Sequence, residues 1–260
     1  VKIPICHIDA FANAVFKGNP AAVCPLDKWL ADQMLQAIAM ENNLSETAFI
    51  VRRNDNEYDI RWFSPKAEVD LCGHATLAAG YTVLNVIGQT AETVTFHSKS
   101  GALVVRRKDD LLTMDFPAQP PVACDAPIEL IKGLGKTPKA VLRSEDFLAV
   151  FESEDEVLSL HPDMNKLCEL DLRGVCVTAK GNKADFVSRF FVPKLGIDED
   201  PVTGSMHCML VPYWKNKLGR KSFHALQLSK RGGELFCEDD GQRIIIAGKA
   251  VMYMQGTITV

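Results

Sequence analysis

The eight cysteines of this 260-residue chain, at positions 6, 24, 72, 124, 168, 176, 208 and 237, include no C-x-x-C pair. Without paired short spacings a structural zinc site has no support, and a chain that is 47% hydrophobic needs no disulfide framework to hold its core. The cysteines therefore read as reduced, mostly buried thiols. A basic excess is also missing. The formal net charge is −4, which argues against nucleic acid and anionic lipid, partners whose phosphates call for clustered Lys and Arg. Nowhere do 18 uncharged apolar residues run together, and the first twenty residues hold no apolar run of signal-peptide length. These absences predict a soluble, cytoplasmic protein that binds neither nucleic acid nor membrane.

What is present is an alternation of strand and helix patterns. Ile3 to Asp9 reads as a short strand, followed by a Gly- and Pro-punctuated loop from Phe16 to Ala21. A helix capped by Asp27 comes next, with Leu30, Met34, Leu35 and Ile38 at helical spacing and Asn42-Asn43 as its stop. From Ser45 the period changes to two, with Glu46, Ala48 and Ile50 on one face and Thr47, Phe49 and Val51 on the other. A polar turn at residues 53–57 leads to a second strand, Tyr58 to Phe63, predicted to pair back as a hairpin. Cys72-Gly73-His74 then opens an Ala-, Thr- and Leu-rich run that reads as a buried helix.

The second half repeats this order. Residues 61–70 lie over residues 189–198 at an offset of 128, with five identities in ten, and the same register runs back through Asn54 over Asn182 and Leu44 over Leu172. After three extra residues, taken as Glu199-Asp200-Pro201, Gly73-His74-Ala75 lies over Gly204-Ser205-Met206, each opening an apolar helix. Two long copies indicate duplicated domains rather than a solenoid. Four prolines between Phe116 and Pro127 place the boundary, giving residues 1–115 and 116–260, with the last strand free to return to the first domain. The runs Ile244 to Ala247 and Val251 to Tyr253 read as closing strands.

A glycine turn entering a helix offers free backbone N–H groups and the positive end of the helix dipole, a place for a carboxylate. Gly73 and Gly204 are such turns, predicted to clamp a small anionic substrate where the copies meet; equally, each glycine lets the chain enter a close-packed helix. Residues found in one copy alone say more about chemistry. Glu46 lies over Gly174, and on a strand face with Ala48 and Ile50 its carboxyl would be partly desolvated, which suits proton exchange. The bland alternative is a strand-end Glu in solvent. Asp200 approaches the Gly204 turn, or is only an Asp-Pro turn device. His74 can exchange hydrogen bonds with a substrate, or with backbone at its helix start. Ser205 in the matching place can serve as a helix cap. His207 and Cys208, adjacent on a helix, point apart and do not make a dyad.

The segments Gly18-Asn19-Pro20-Ala21-Ala22-Val23, Leu44-Ser45-Glu46-Thr47-Ala48-Phe49, Cys72-Gly73-His74-Ala75-Thr76 and Asp200-Pro201-Val202-Thr203-Gly204-Ser205 together resemble the signatures of the phenazine-biosynthesis PhzF-like family. The resemblance spans nearly the whole chain. It implies an α/β (α+β) fold of the diaminopimelate-epimerase-like kind: two pseudo-symmetric domains, each a curled, mostly antiparallel sheet around a central helix, with the site between them. It implies no cofactor, no metal and a homodimer. It implies a proton-moving isomerase of a small carboxylate-bearing substrate, with Glu46 as acid/base and His74 and Asp200 beside it, and with Asn19, Gly73, Gly204 and Ser205 binding substrate.

Related epimerases in that superfamily use paired cysteines. Here Cys72 precedes Gly73 but Thr203 precedes Gly204, and a threonine hydroxyl is too weak an acid for two-thiol chemistry. Cys72 is thus expected to be a bystander. A racemase using Cys72 with another partner, and a non-catalytic binding protein, remain as alternatives.

Overall fold

The computed structural model describes residues 1–88 and 91–260. The chain divides into two compact units, Val1–Asp115 with Ala247–Val260, and Phe116–Ile246.

In the first unit β1 (Lys2–Ala10) pairs antiparallel with β2 (Asn19–Leu26). Helix α1 (Asp32–Asn42) carries the chain to β3 (Glu46–Arg52), parallel to β2, and β4 (Glu57–Phe63) returns antiparallel as the predicted hairpin. Helix α2 (Gly73–Tyr81) leads to β5 (Thr93–Ser98), parallel to β4, and β6 (Gly101–Lys108) follows antiparallel. The C-terminal strand Ala250–Thr259 runs antiparallel along the other side of β1. Residues His74 to Gly80 of α2 are all buried, and the helix packs on β1, β2, β3 and β6, so the sheet curls around it. A helix apolar on every side can only be stable when enclosed in this way. Ile5, Leu35, Ile38, Phe49 and Phe63 form a second layer of core between α1 and the sheet.

The second unit repeats the plan. Its strands β7 (Ala140–Arg143), β8 (Phe147–Val150), β9 (Val175–Lys180), β10 (Phe186–Phe191), β11 (Ser222–Gln227) and β12 (Gly233–Asp239) join in the same succession of antiparallel, parallel, antiparallel, parallel and antiparallel steps. Its buried helix α3 (His207–Leu218) lies between β10 and β11, as α2 lies between β4 and β5. Even the hairpin register agrees. Thr47 faces Phe63 and Ala48 faces Trp62, while 128 positions on Val175 faces Phe191 and Cys176 faces Phe190. Each hairpin also carries one bidentate ion pair: Arg61 Nε and Nη2 hold Glu68 at 2.8 and 2.9 Å, and Arg189 Nε and Nη2 hold Glu199 at 2.8 and 3.0 Å. The guanidinium groups lie over Phe63 and Phe191, 5.1 and 4.8 Å from the ring centres.

That pair of forks corrects the alignment. Glu68 and Glu199 are equivalent, so the three extra residues of the second copy fall between Phe191 and Glu199, not at Glu199-Asp200-Pro201. Asp200 therefore stands where the first unit has Val69. Gapless matching of letters cannot see a strand partner, and an ion pair between β10 and the segment after it can.

Other expectations change as well. Residues 19–21 are not loop but the start of β2, because Ala21 to Cys24 are wholly buried and pair with β1 and β3 despite the flanking prolines. Helix α1 begins at Asp32 with Ala31 at its N-cap, five residues after Asp27, and ends as expected with Asn43 in the left-handed region. Gly204 does not open α3 directly. His207 N–H bonds to Gly204 O and Cys208 N–H to Ser205 O, so a tighter turn precedes the helix. No helix among the described residues is long and apolar enough to cross a membrane.

Candidate active site

The first unit assembles its polar cluster at the starts of β2, β3 and α2. Gly18 makes the entry to β2 possible: its φ is +65°, and a Cβ there would lie 2.1 Å from Ala10 O. The turn delivers Asn19 as the first residue of β2, completely buried. Because β2 and β3 run parallel, with Ala21 opposite Glu46, Asn19 lies near the segment that enters β3. Ser45 Oγ donates to Asn19 Oδ1 at 3.1 Å, and Asn19 Nδ2 stands 3.2 Å from His74 Nδ1 in the first turn of α2.

These bonds assign the imidazole proton. With Asn19 Oδ1 engaged by Ser45, its Nδ2 donates, so His74 Nδ1 accepts and the proton of the neutral ring is on Nε2. Burial pushes the His74 pKa down to about 3, so the ring is neutral across the physiological range. Nε2 stands 3.2 Å from Glu46 Oε2, in contact though not aligned for a full hydrogen bond. Glu46 is largely covered, with its side chain 19% exposed. Glu46 keeps a partial opening to solvent while its carboxylate lies beside His74, and His74 bonds to side chains rather than to backbone.

Cys72 was expected to stand aside, yet its buried thiol lies 3.5 Å from His74 Nδ1. Ligand atoms of Glu46, Cys72 and His74 all lie within 4.8 Å of one another. At the same helix start the N–H groups of Gly73, His74 and Ala75 meet no protein acceptor among the described residues; the first helical bond runs from Thr76 N–H to Cys72 O. Such orphaned donors at a dipole's positive end accept an anion.

The second unit builds a different cluster on the equivalent turn. Thr203 replaces Cys72, and its Oγ1 donates to Asp200 Oδ2 at 2.5 Å. Gln227, buried at the end of β11, accepts from Thr203 N–H at 2.9 Å and donates to Asp200 O at 2.8 Å. Asp200 thus does serve its own loop, as the turn reading proposed. Ser205 does not serve as a cap: Met206 holds the N-cap position of α3, with no side-chain bond to the helix. The N–H groups of Gly204, Ser205 and Met206 meet no protein acceptor among the described residues. His207 donates from Nδ1 to Thr203 O at 2.9 Å, and burial raises the Cys208 thiol to about 12, so neither serves as a nucleophile. Sequence reasoning missed Ser45 and Gln227 as the residues that orient these clusters. Ser45 adjoins Glu46 and was visible only as part of a segment; an isolated Gln 24 positions after Thr203 carries no spacing signal at all.

The duplicated helix-in-sheet fold is shared with solved structures of an epimerase and a probable racemase. At that level a hydroxyproline epimerase from Agrobacterium vitis, 10% identical, matches 99% of this chain and 92% of its own with a TM-score of 0.63, a likeness of fold alone. Residues 8–256 match the family model described as phenazine biosynthesis-like protein. An uncharacterized isomerase of Pseudomonas aeruginosa is 52% identical over 99% of both chains. The crystal structure of a PhzF-family phenazine biosynthesis protein from Enterococcus faecalis is 44% identical over 100% of both chains, with a TM-score of 0.97. The chain belongs to the phenazine biosynthesis-like, or PhzF, family and is an isomerase of that type.

Proposed function

We propose that this isomerase moves a proton between carbons of a small carboxylate-bearing substrate, without a cofactor, and that Glu46 is its acid/base. The observation that carries this reading is the contact between Glu46 and a neutral His74 whose N–H faces the carboxylate. The Glu46 carboxylate takes a proton from a carbon made acidic by a neighbouring carbonyl, carboxylate or diene. The electron pair passes into that conjugated system, and the protonated Glu46 returns the proton to a second carbon. His74 faces one carboxylate oxygen with its N–H, and Asn19 and Ser45 hold His74. The orphaned N–H groups from Gly73 to Ala75 offer charge-assisted hydrogen bonds to the substrate's carboxylate. The parts assigned to Asp200, Gly204 and Ser205 rest on the family resemblance, as does a homodimeric state, which light scattering after size-exclusion chromatography tests; a cytoplasmic location rests on the unpaired cysteine spacing and the lack of a long apolar run.

Turnover of a panel of small unsaturated acids in deuterium oxide tests the chemistry. Deuterium enters the product carbon with the natural protein and not with Glu46→Gln; full activity of that variant overturns the assignment. One observation favours a second reading, a Cys72-dependent racemase: the thiol's approach to His74. Against it, the residue equivalent to Cys72 is Thr203, whose hydroxyl is committed to Asp200. Substrate-protected inactivation by a thiol reagent, retained in Glu46→Gln, decides for the racemase.

A further inference from the structure

Among the described residues, one group of thiol, imidazole and carboxylate donors converges: Cys72, His74 and Glu46, with ligand atoms all within 4.8 Å of one another. We propose that these three residues bind a soft divalent cation, with zinc the fitting ion, and that its binding withdraws Glu46 from proton transfer, making zinc a reversible inhibitor of this enzyme.

The donor chemistry is the first argument. Thiolate, imidazole and carboxylate are the three protein ligands zinc takes, and the combination disfavours magnesium and calcium, which want oxygen alone. Distance is the second. Zinc bonds of about 2.0–2.3 Å at tetrahedral angles put neighbouring ligand atoms roughly 3.3–3.6 Å apart. Cys72 Sγ to His74 Nδ1 is 3.5 Å, and His74 Nε2 to Glu46 Oε2 is 3.2 Å. These contacts use opposite nitrogens of one ring, and an ion takes only one. The spread of up to 4.8 Å exceeds tetrahedral spacing, so binding requires the three side chains to draw together.

Support around the ligands is the third argument. If Nε2 holds the ion, Nδ1 faces Asn19, whose amide Ser45 orients, and turning that amide over lets it accept the Nδ1–H. Three protein ligands leave a fourth position for water, and the partly exposed Glu46 gives access from solvent. The sequence hid this site because its ligands do not follow zinc spacing: Glu46 comes from a strand 26 positions before Cys72. Inhibition follows because the carboxylate lone pair that would receive a proton binds the metal instead. That last step rests on the proposed role of Glu46; the binding does not.

Cobalt(II) is the probe, titrated into the reduced, metal-free full chain and then displaced by zinc. The expected result is one equivalent bound, with the near-ultraviolet charge-transfer band of a cobalt–thiolate bond. Cys72→Ser loses the band, Glu46→Gln keeps it but binds at least about tenfold more weakly, and Cys168→Ser, which removes the exposed thiol, changes nothing. Circular dichroism establishes that each variant is folded, and if Cys72→Ser is not, the Glu46→Gln and Cys168→Ser titrations still decide. A band that survives Cys72→Ser, a band lost in Cys168→Ser, or no stoichiometric binding overturns the site. Zinc is then added to the deuterium-exchange assay, where chelator restores the lost turnover. Full turnover with one zinc held at Cys72 overturns the inhibition and the acid/base role of Glu46 together, while the site stands.

Discussion

At Cys72-Gly73-His74 the residue before the glycine brings a thiol toward an imidazole, and the residue after it brings that imidazole to Glu46. At Thr203-Gly204-Ser205 the first residue turns its hydroxyl to Asp200 and its amide to Gln227, and the hydroxyl of the last caps no helix end. The two turns share their place in the same strand order, and among the described residues both leave three backbone donors without an acceptor. Their side chains have been wired for different work. One strand earlier the contrast repeats. Glu46 opens β3, whereas Gly174 precedes β9, and a Cβ on Gly174 would lie 2.6 Å from both Phe191 O and Val192 Cγ1. The second unit has no room for a counterpart to Glu46. Duplication kept the scaffold and the glycine turns, and the carboxylate at the start of β3, the proposed acid/base, belongs to one unit alone.

The sharpest way to break this comparison is to equalise the carboxylates. Glu46→Gln lowers isomerisation by about 10²–10⁴-fold, the usual contribution of a general acid/base, while Asp200→Asn costs less; the order of kcat values in the deuterium assay checks it. Equal losses would show that turnover depends on the two carboxylates alike.

A second test uses the buried histidine of the second turn. Desolvation lowers the His207 pKa to about 4, against 6.5 for an exposed ring, so the unfolded chain binds the proton more readily than the folded one. The stability His207 permits is fully present above pH 6.5 and is lost as pH falls toward 4, by about 3 kcal/mol in all. Urea unfolding across that range shows the slope, and His207→Gln flattens it. A slope unchanged in the variant would place the acid sensitivity elsewhere.

Next comes Gly174→Ala, which adds the smallest possible counterpart to a side chain at β3. The contacts at 2.6 Å predict a loss of about 1–3 kcal/mol in chemical denaturation. No loss would mean that the missing carboxylate is not a matter of space. The smallest effect belongs to Ser205→Ala. Because the hydroxyl caps nothing, stability stays within about 0.5 kcal/mol, and a cost near 1 kcal/mol in the melting curve would restore Ser205 as a cap.

Local pattern made some of the molecule legible. The hairpin of β3 and β4 followed from alternation and a polar turn, the helix at Gly73 from its unbroken apolar run, and the end of α1 from Asn42-Asn43. β2 escaped because Gly18 and Pro20 spell a loop, while the burial of Ala21 to Cys24 between two partner strands overrides that spelling. Asp27 misled for a related reason: a capping residue states where a helix can start, and packing places the start at Asp32. Of the candidate cluster, Glu46 was marked by its mismatch with Gly174 and His74 by its place at a helix start, while Asn19 was reached only as a member of a recognised segment. Cys72 was set aside, and nothing marked Gln227.

What the sequence determined by itself is the duplication: a repeat at 128 positions with strand over strand and glycine over glycine, which one chain reveals through its own symmetry. What only the tertiary structure decided is where the copies depart from that symmetry. The parallel pairing of β2 with β3, together with the packing of α2 on both, brings Asn19, Glu46, Cys72 and His74 together across 55 positions of chain, and the ion pair of Arg189 with Glu199 moves the inserted residues ahead of Asp200. Periodicity records which face of an element is buried. It carries no record of which distant element lies against that face, and both the cluster and the insertion depend on that pairing.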